Sequence, residues 1–131
     1  MPTYTVTGMS YPLSRIMSTG TAGYGVFALV KPEHLGSALK ADKAEMPGYD
    51  LLARTYGVRD TAIGAVGMFG RSRKTVRAAM VLRIAMDLGD AAVLSRKVDD
   101  EDVRKKILAI TLGWAGLNAL ALLVDSAGAD D

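Results

Sequence analysis

Residues 107–124 read ILAITLGWAGLNALALLV, eighteen residues without a charge. A run of this length meets the plain criterion for a transmembrane helix, since ~20 apolar residues at a rise of ~1.5 Å each cross the hydrocarbon core. It is bounded by charge on both sides. The connector before it, residues 95–106 (SRKVDDEDVRKK), holds nine charges in twelve residues and is expected to be solvated, and a short acidic tail from Asp125 to Asp131 follows.

Three further apolar stretches precede it, and helices are expected over about 14–30, 50–69, 74–95 and 105–125. Lys31-Pro32 closes the first, because proline cannot continue a helix and restricts the residue before it. Residues 31–50 then read as a surface loop, with a short helix over Glu33 to Lys43. Asp50 is the expected N-cap of the second helix. A basic turn, Gly70-Arg71-Ser72-Arg73-Lys74, leads into the third, whose outward side is expected to carry Val76, Met80, Val81, Ile84 and Leu88.

Two architectures compete, a soluble four-helix bundle with an apolar last helix and a membrane bundle whose polar residues face inward. Glycine placement favours the membrane. Ala53, Gly57, Asp60, Gly64 and Gly67 are spaced 4, 3, 4 and 3 apart and form one stripe on the second helix. Small residues on a stripe let backbones approach where no hydrophobic effect drives association. In a soluble helix each such glycine costs up to ~1 kcal/mol relative to alanine. Gly20, Gly23 and Gly25 on the first helix and Gly113 and Gly116 on the fourth repeat the theme. The expected fold is therefore all-α, a single domain over residues 1–131 forming an up-and-down four-helix transmembrane bundle. Its expected location is multi-pass in a bacterial inner membrane. The connectors between helices one and two and between three and four carry more basic residues, which places them in the cytoplasm and both termini outside.

Composition narrows the function. The formal net charge is +2, and the basic residues sit in short connectors, so no nucleic-acid footprint appears. There is no cysteine, which excludes disulfides and thiolate metal sites. With His34 as the sole histidine and no EF-hand-like carboxylate cluster, neither a metal nor a cofactor is expected. Residues 1–10 carry no Lys or Arg and do not resemble a cleaved signal. No phosphate loop follows a strand, Ser and His suggest no triad, and Arg71 to Arg77 reads as a membrane-surface anchor.

The chemistry-bearing residues lie in the two middle helices. Arg83, Asp87 and Asp90 at i, i+4 and i+7 share one face, and Arg54, Arg59 and Asp60 lie on the preceding helix. Asp60 is about eleven residues before the basic turn and Arg83 about nine after it, so an antiparallel hairpin brings them to similar depth. A charge inside a bilayer costs at least ~2.5–3.5 kcal/mol, so such groups pair or line a wet cavity. Three arginines and three aspartates can simply neutralise one another as ion pairs that fix helix register. Such pairs are often near break-even energetically, which explains so many of them poorly.

The functional alternative is a pocket for a lipophilic small molecule. Neighbouring carboxylates push their pKa values apart, leaving one base and one acid, with an arginine orienting both. Asp60, Asp87 and Asp90 would then be catalytic, with Arg59 and Arg83 as orienters. Arg54, Tyr56, Tyr24, Trp114 and Asn118 are candidate substrate contacts. The chemistry would be epoxide opening, cyclisation or a double-bond shift, the work of a hydrolase, cyclase or isomerase. A non-catalytic accessory subunit or self-associating scaffold is the alternative, with a homo-oligomer held by the glycine stripes. A proton-coupled carrier would also need an oligomer. Expected partners are the lipid bilayer and a lipophilic small molecule.

The pattern Arg54-Thr-Tyr-Gly57-Val-Arg59-Asp60 followed by Gly64, then Arg83-x-x-x-Asp87-x-x-Asp90 and a final Gly-Trp-rich helix, resembles a family of small four-helix integral membrane proteins of bacteria and fungi. That family is described only as a domain of unknown function. The resemblance covers about Gly20 to Val124. It implies the membrane fold and draws attention to Gly57-Val-Arg59-Asp60 and Asp87-Leu-Gly-Asp90, but it supplies no activity.

Overall fold

The computed structural model describes residues 10–128; residues 1–9, where a cleaved signal is not expected, and residues 129–131 lie outside the described residues. The described chain is all-helical, with α1 over Pro12–Val30, α2 over Glu33–Ala38, α3 over Met46–Phe69, α4 over Arg73–Lys97 and α5 over Glu101–Gly128. The four long helices run up and down, and each packs against two neighbours in the order α1, α3, α4, α5 and back to α1. The most extensive contacts join α1 to α3 and α4 to α5, so the bundle is two close pairs set side by side.

Glycine makes the first pair. The buried face of α3 comprises Tyr49, Ala53, Tyr56, Gly57, Asp60, Gly64 and Gly67, which contains the whole expected stripe. Its partner is α1. A Cβ on Gly57 would sit 2.8 Å from the Gly25 carbonyl oxygen, and one on Gly64 would sit 2.5 Å from the Ala22 amide nitrogen. No side chain fits there, so backbone meets backbone. Gly23, Gly113 and Gly116 differ from expectation, since they face outward with open space where a Cβ would go.

Several boundaries also differ. Helix α3 begins at Met46, so Asp50 lies inside it and is not its N-cap. Just ahead of it a turn is closed by a reciprocal pair, in which Asp42 Oδ1 accepts from the Glu45 amide (2.9 Å) and Glu45 Oε1 accepts from the Asp42 amide (3.0 Å). The short helix of the first connector stops at Ala38. The charged connector before α5 shrinks to residues 98–100, because its charges suit helix ends. Arg96 and Lys97 occupy the last turn of α4, and Glu101 and Asp102 the first turn of α5, each opposite in sign to the local helix dipole. Val76 and Met80, expected on the outside of α4, are almost fully buried, whereas Val81 and Leu88 do face outward.

Asp100 caps α5, its Oδ1 accepting from the Val103 amide at 3.0 Å. That bond holds the Asp100 carboxyl below its ordinary pKa of 3.8. A depressed folded-state pKa gives stability that is present above the unfolded value and is lost as pH falls through the folded one. Asp100→Ala is therefore expected to lower the melting temperature at pH 7. The gap from the parent should close as the pH is brought below 3.8, which thermal melts across that range would read.

The supposed acidic tail is not a tail at its start. Asp125 belongs to α5, is 6% exposed, and its carboxylate accepts from the backbone amides of Leu13 (3.2 Å) and Ser14 (2.6 Å) at the first turn of α1. Beside it, Arg77 donates to the Tyr11 hydroxyl (2.8 Å), which lies 3.2 Å from the Ser126 hydroxyl.

Apolar packing is concentrated at the two ends. Leu35, Leu39, Tyr49, Leu94, Val98, Val103 and Ile107 form one cluster beneath α2, and Tyr11, Val76, Met80 and Ala121 form another at the opposite end. The middle is polar. Meanwhile Ile16, Leu51, Val58, Phe69, Val81, Leu88, Leu117, Leu120 and Leu123 all point outward. By length and composition α5 is the one helix among the described residues apolar enough to cross a membrane.

Candidate functional site

The polar middle is an alternating chain of charges running from α4 to α3 and back. Asp90 receives both terminal nitrogens of Arg59, Nη1 to Oδ1 at 3.1 Å and Nη2 to Oδ2 at 2.9 Å. Arg59 Nε donates to Asp60 Oδ1 at 2.9 Å. The other oxygen of Asp60 lies 2.8 Å from Arg83 Nη1. That Nη1 makes no aligned hydrogen bond, so the contact is Coulombic. Arg83 closes the chain on Asp87, through Nε to Oδ2 at 3.1 Å and Nη2 to Oδ1 at 3.0 Å.

The register follows from the hairpin. The short turn between α3 and α4 brings Asp60 and Arg83 to one level, as the equal spacings imply. The 4,3 spacing on α4 then aims Asp87 and Asp90 at the same side. Asp60 is 1% exposed and Asp87 2%, and the Asp90 side chain keeps 16%. These five side chains account for every Lys, Arg, His, Asp and Glu within residues 16–30, 55–70, 78–95 and 107–124. Each charge in the body of the bundle is thus a member of one cluster.

A cavity of about 190 Å³ adjoins the cluster. Arg59, Asp60, Arg83, Asp87 and Asp90 line its floor, with Tyr24, Tyr56 and Trp114 beside them. Leu35, Leu39, Leu94, Ile107 and Ile110 form apolar walls toward the α2 end, where Lys106 and His34 stand at the rim. Rings already engage cations here, with the Arg59 guanidinium 4.5 Å from the Tyr56 ring centre and that of Arg83 6.0 Å from Trp114.

Of the ten expected site residues, eight line this cavity. Arg54 does not, because it directly follows Ala53 of the buried stripe and so is turned to the exposed side of α3. Asn118 is fully buried outside the cavity, its side-chain nitrogen donating back to the Trp114 carbonyl at 2.8 Å. His34 lies in the connector that the sequence reads as a surface loop, yet it meets Tyr24. Its Nδ1 lies 2.7 Å from the Lys31 carbonyl, which can only accept, so Nδ1 carries the proton. Its Nε2 lies 2.8 Å from the Tyr24 hydroxyl. Nothing in sequence spacing signals this pair, since α2 and its fold-back over the cavity bring it about.

Losing Arg54 changes the charge balance. Three carboxylates face two guanidiniums, and one negative charge is left over. No protein-family model, curated protein or solved structure matches this chain.

Proposed function

We propose that the chain is an integral membrane protein whose enclosed Arg/Asp cluster performs acid–base chemistry on a lipophilic small molecule. One observation carries the reading: the charged residues of the bundle's body are inside and its outer surface is uncharged. Exposed positions carry no charge over residues 16–30 of α1, 55–70 of α3, 78–95 of α4 and 107–124 of α5. At the helical rise these stretches form a belt of about 22–27 Å, close to the hydrocarbon thickness of a bilayer. In water such a surface would be an apolar patch far larger than monomers tolerate. In lipid it is the ordinary arrangement, with ionisable groups turned inward in pairs.

The belt is bordered at each end by charge. Arg15, Arg71, Arg77 and Asp125 stand at the end holding the N-terminus of α1, and Lys31, Arg54, Arg96 and Lys106 at the other. The second end, with Lys40, Lys43, Lys97, Arg104 and Lys105 besides, has more basic residues and faces the cytoplasm by the positive-inside rule. The chemistry follows from the surplus carboxylate. In an enclosed apolar site an uncompensated negative charge is costly and takes up a proton. The cluster then offers one carboxylic acid beside two carboxylates, an acid and a base within one cavity.

A non-catalytic scaffold is the second reading, favoured by the arginine that stands against each of the six carboxylate oxygens. Two steps separate these. The expressed protein should remain in alkaline-washed membranes and require detergent; release without detergent removes the membrane reading. Among lipophilic epoxides and alkenes, a converted substrate should be lost with Asp87→Asn by about 10²-fold or more while folded yield and melting temperature change little. Parallel loss of fold and turnover would favour structural pairing.

A further inference from the structure

The surplus charge also bears on what the cavity holds, given the acid–base reading above. Asp90–Arg59–Asp60–Arg83–Asp87 is a chain with a carboxylate at each end, and both end carboxylates stand on α4 and face the cavity. The middle carboxylate has two guanidinium partners, whereas each end one has a single partner. Lys106, the remaining cation on the lining, is exposed at the rim, where water screens it. Once the cluster's proton has left and all three carboxylates are ionised, the floor therefore carries a net negative charge, next to Tyr24, Tyr56 and Trp114, whose ring faces are themselves electron-rich. The remaining walls are largely aliphatic, and the Thr111 hydroxyl among them is donated to the Ile107 carbonyl.

We propose that the cavity is built to hold a lipophilic molecule bearing one positive charge, the state a neutral substrate reaches when it takes the cluster's proton. In that step the carboxylic acid gives its proton to an alkene carbon or an epoxide oxygen. An alkene holds it with its π pair; an epoxide holds it with a lone pair on oxygen, and the C–O bond then breaks with its pair left on that oxygen. A carboxylate and a carbocation result. Loss of a neighbouring C–H proton to a second carboxylate restores the cluster and releases an isomer of the substrate, with no co-reactant. Negative charge at the floor appears as positive charge appears on the substrate, so binding strengthens along the reaction and lowers its barrier.

A stable ammonium of the same shape should then outbind its uncharged counterpart. Trp114 is the single tryptophan of the chain and lines the cavity, so its fluorescence reports occupancy directly. The full-length protein in neutral maltoside micelles is titrated with octyltrimethylammonium, with 2,2-dimethyldecane, which replaces the nitrogen by carbon, and with decanoate, all compared at equal mole fraction in the micelle. The ammonium is expected to bind about tenfold or more tightly than the hydrocarbon, and decanoate least. Asp90→Asn, which brings the cluster to two carboxylates against two guanidiniums, should reduce the ammonium to near parity while the hydrocarbon still binds. Equal binding of the ammonium and the hydrocarbon, tighter binding of decanoate, or an unchanged preference in Asp90→Asn overturns the charge selectivity and leaves the lipophilic cavity standing. Failure of all three to perturb Trp114 overturns both.

Discussion

Asp60→Ala is expected to destabilise the bundle by about 3–5 kcal/mol, the cost of removing one partner from a buried ion pair. Asp60 is the link through which the two arginines are joined, taking Arg59 Nε on one oxygen and facing Arg83 Nη1 across the other. It is 1% exposed, so bulk water does not reach it. With alanine there, Arg59 still has Asp90 and Arg83 still has Asp87, but two guanidiniums face each other across a void. Against a total stability of ~5–15 kcal/mol, that is a large fraction. Helical content followed through a thermal melt in detergent, together with folded yield, reads the loss. Asp60→Asn should fall between, because its amide oxygen can still accept from Arg59. A melting temperature for Asp60→Ala within a degree or two of the parent would show that the ion chain does not hold the helices.

The second large effect is expected at Gly64. A Cβ there would meet the Ala22 amide nitrogen at 2.5 Å and both the Ala22 Cβ and the Ser18 carbonyl oxygen at 2.7 Å. Two of these three atoms are backbone, and no rotamer change moves them aside. Gly64→Ala forces α1 and α3 apart and should cost about 3 kcal/mol or more, the upper range for overpacking. Gly64→Val, with two further methyl groups, should leave no folded protein. Gly116→Ala is the control, because a Cβ there meets nothing within 4 Å. It should be neutral or raise the melting temperature, since alanine favours a helix over glycine by up to ~1 kcal/mol. If Gly64→Ala and Gly116→Ala behave alike, the close approach of α1 to α3 is not what the stripe is for.

The cluster was legible in the sequence because it rests on periodicity. Spacings of 3 and 4 place Asp60 among the glycines and Arg83, Asp87 and Asp90 on one face, and a short turn fixes their relative depth. The stripe's partner was not legible. Spacing says which side of α3 is small but not which helix comes against it, and that depends on a fold-back through α2. Arg54 shows the limit of neighbourhood in sequence, since it lies six residues from Asp60 yet points away from the cavity. Val76 and Met80 lie inside against expectation because, in a helix apolar on both sides, hydrophobicity does not say which face is inside. Asp50 shows that a favourable capping residue does not by itself fix a helix start, since the turn closed between Asp42 and Glu45 brings the chain into α3 one turn earlier.

The clasp at Asp125 bears on the order in which this chain can be completed during synthesis. The amides of Leu13 and Ser14 emerge early, and their acceptor lies more than a hundred residues downstream. Until the last helix has been made, the leading end of α1 has two donors without their final acceptor. Of the four long helices the one made first is therefore the last to be sealed, and closure of their ring coincides with the arrival of Asp125.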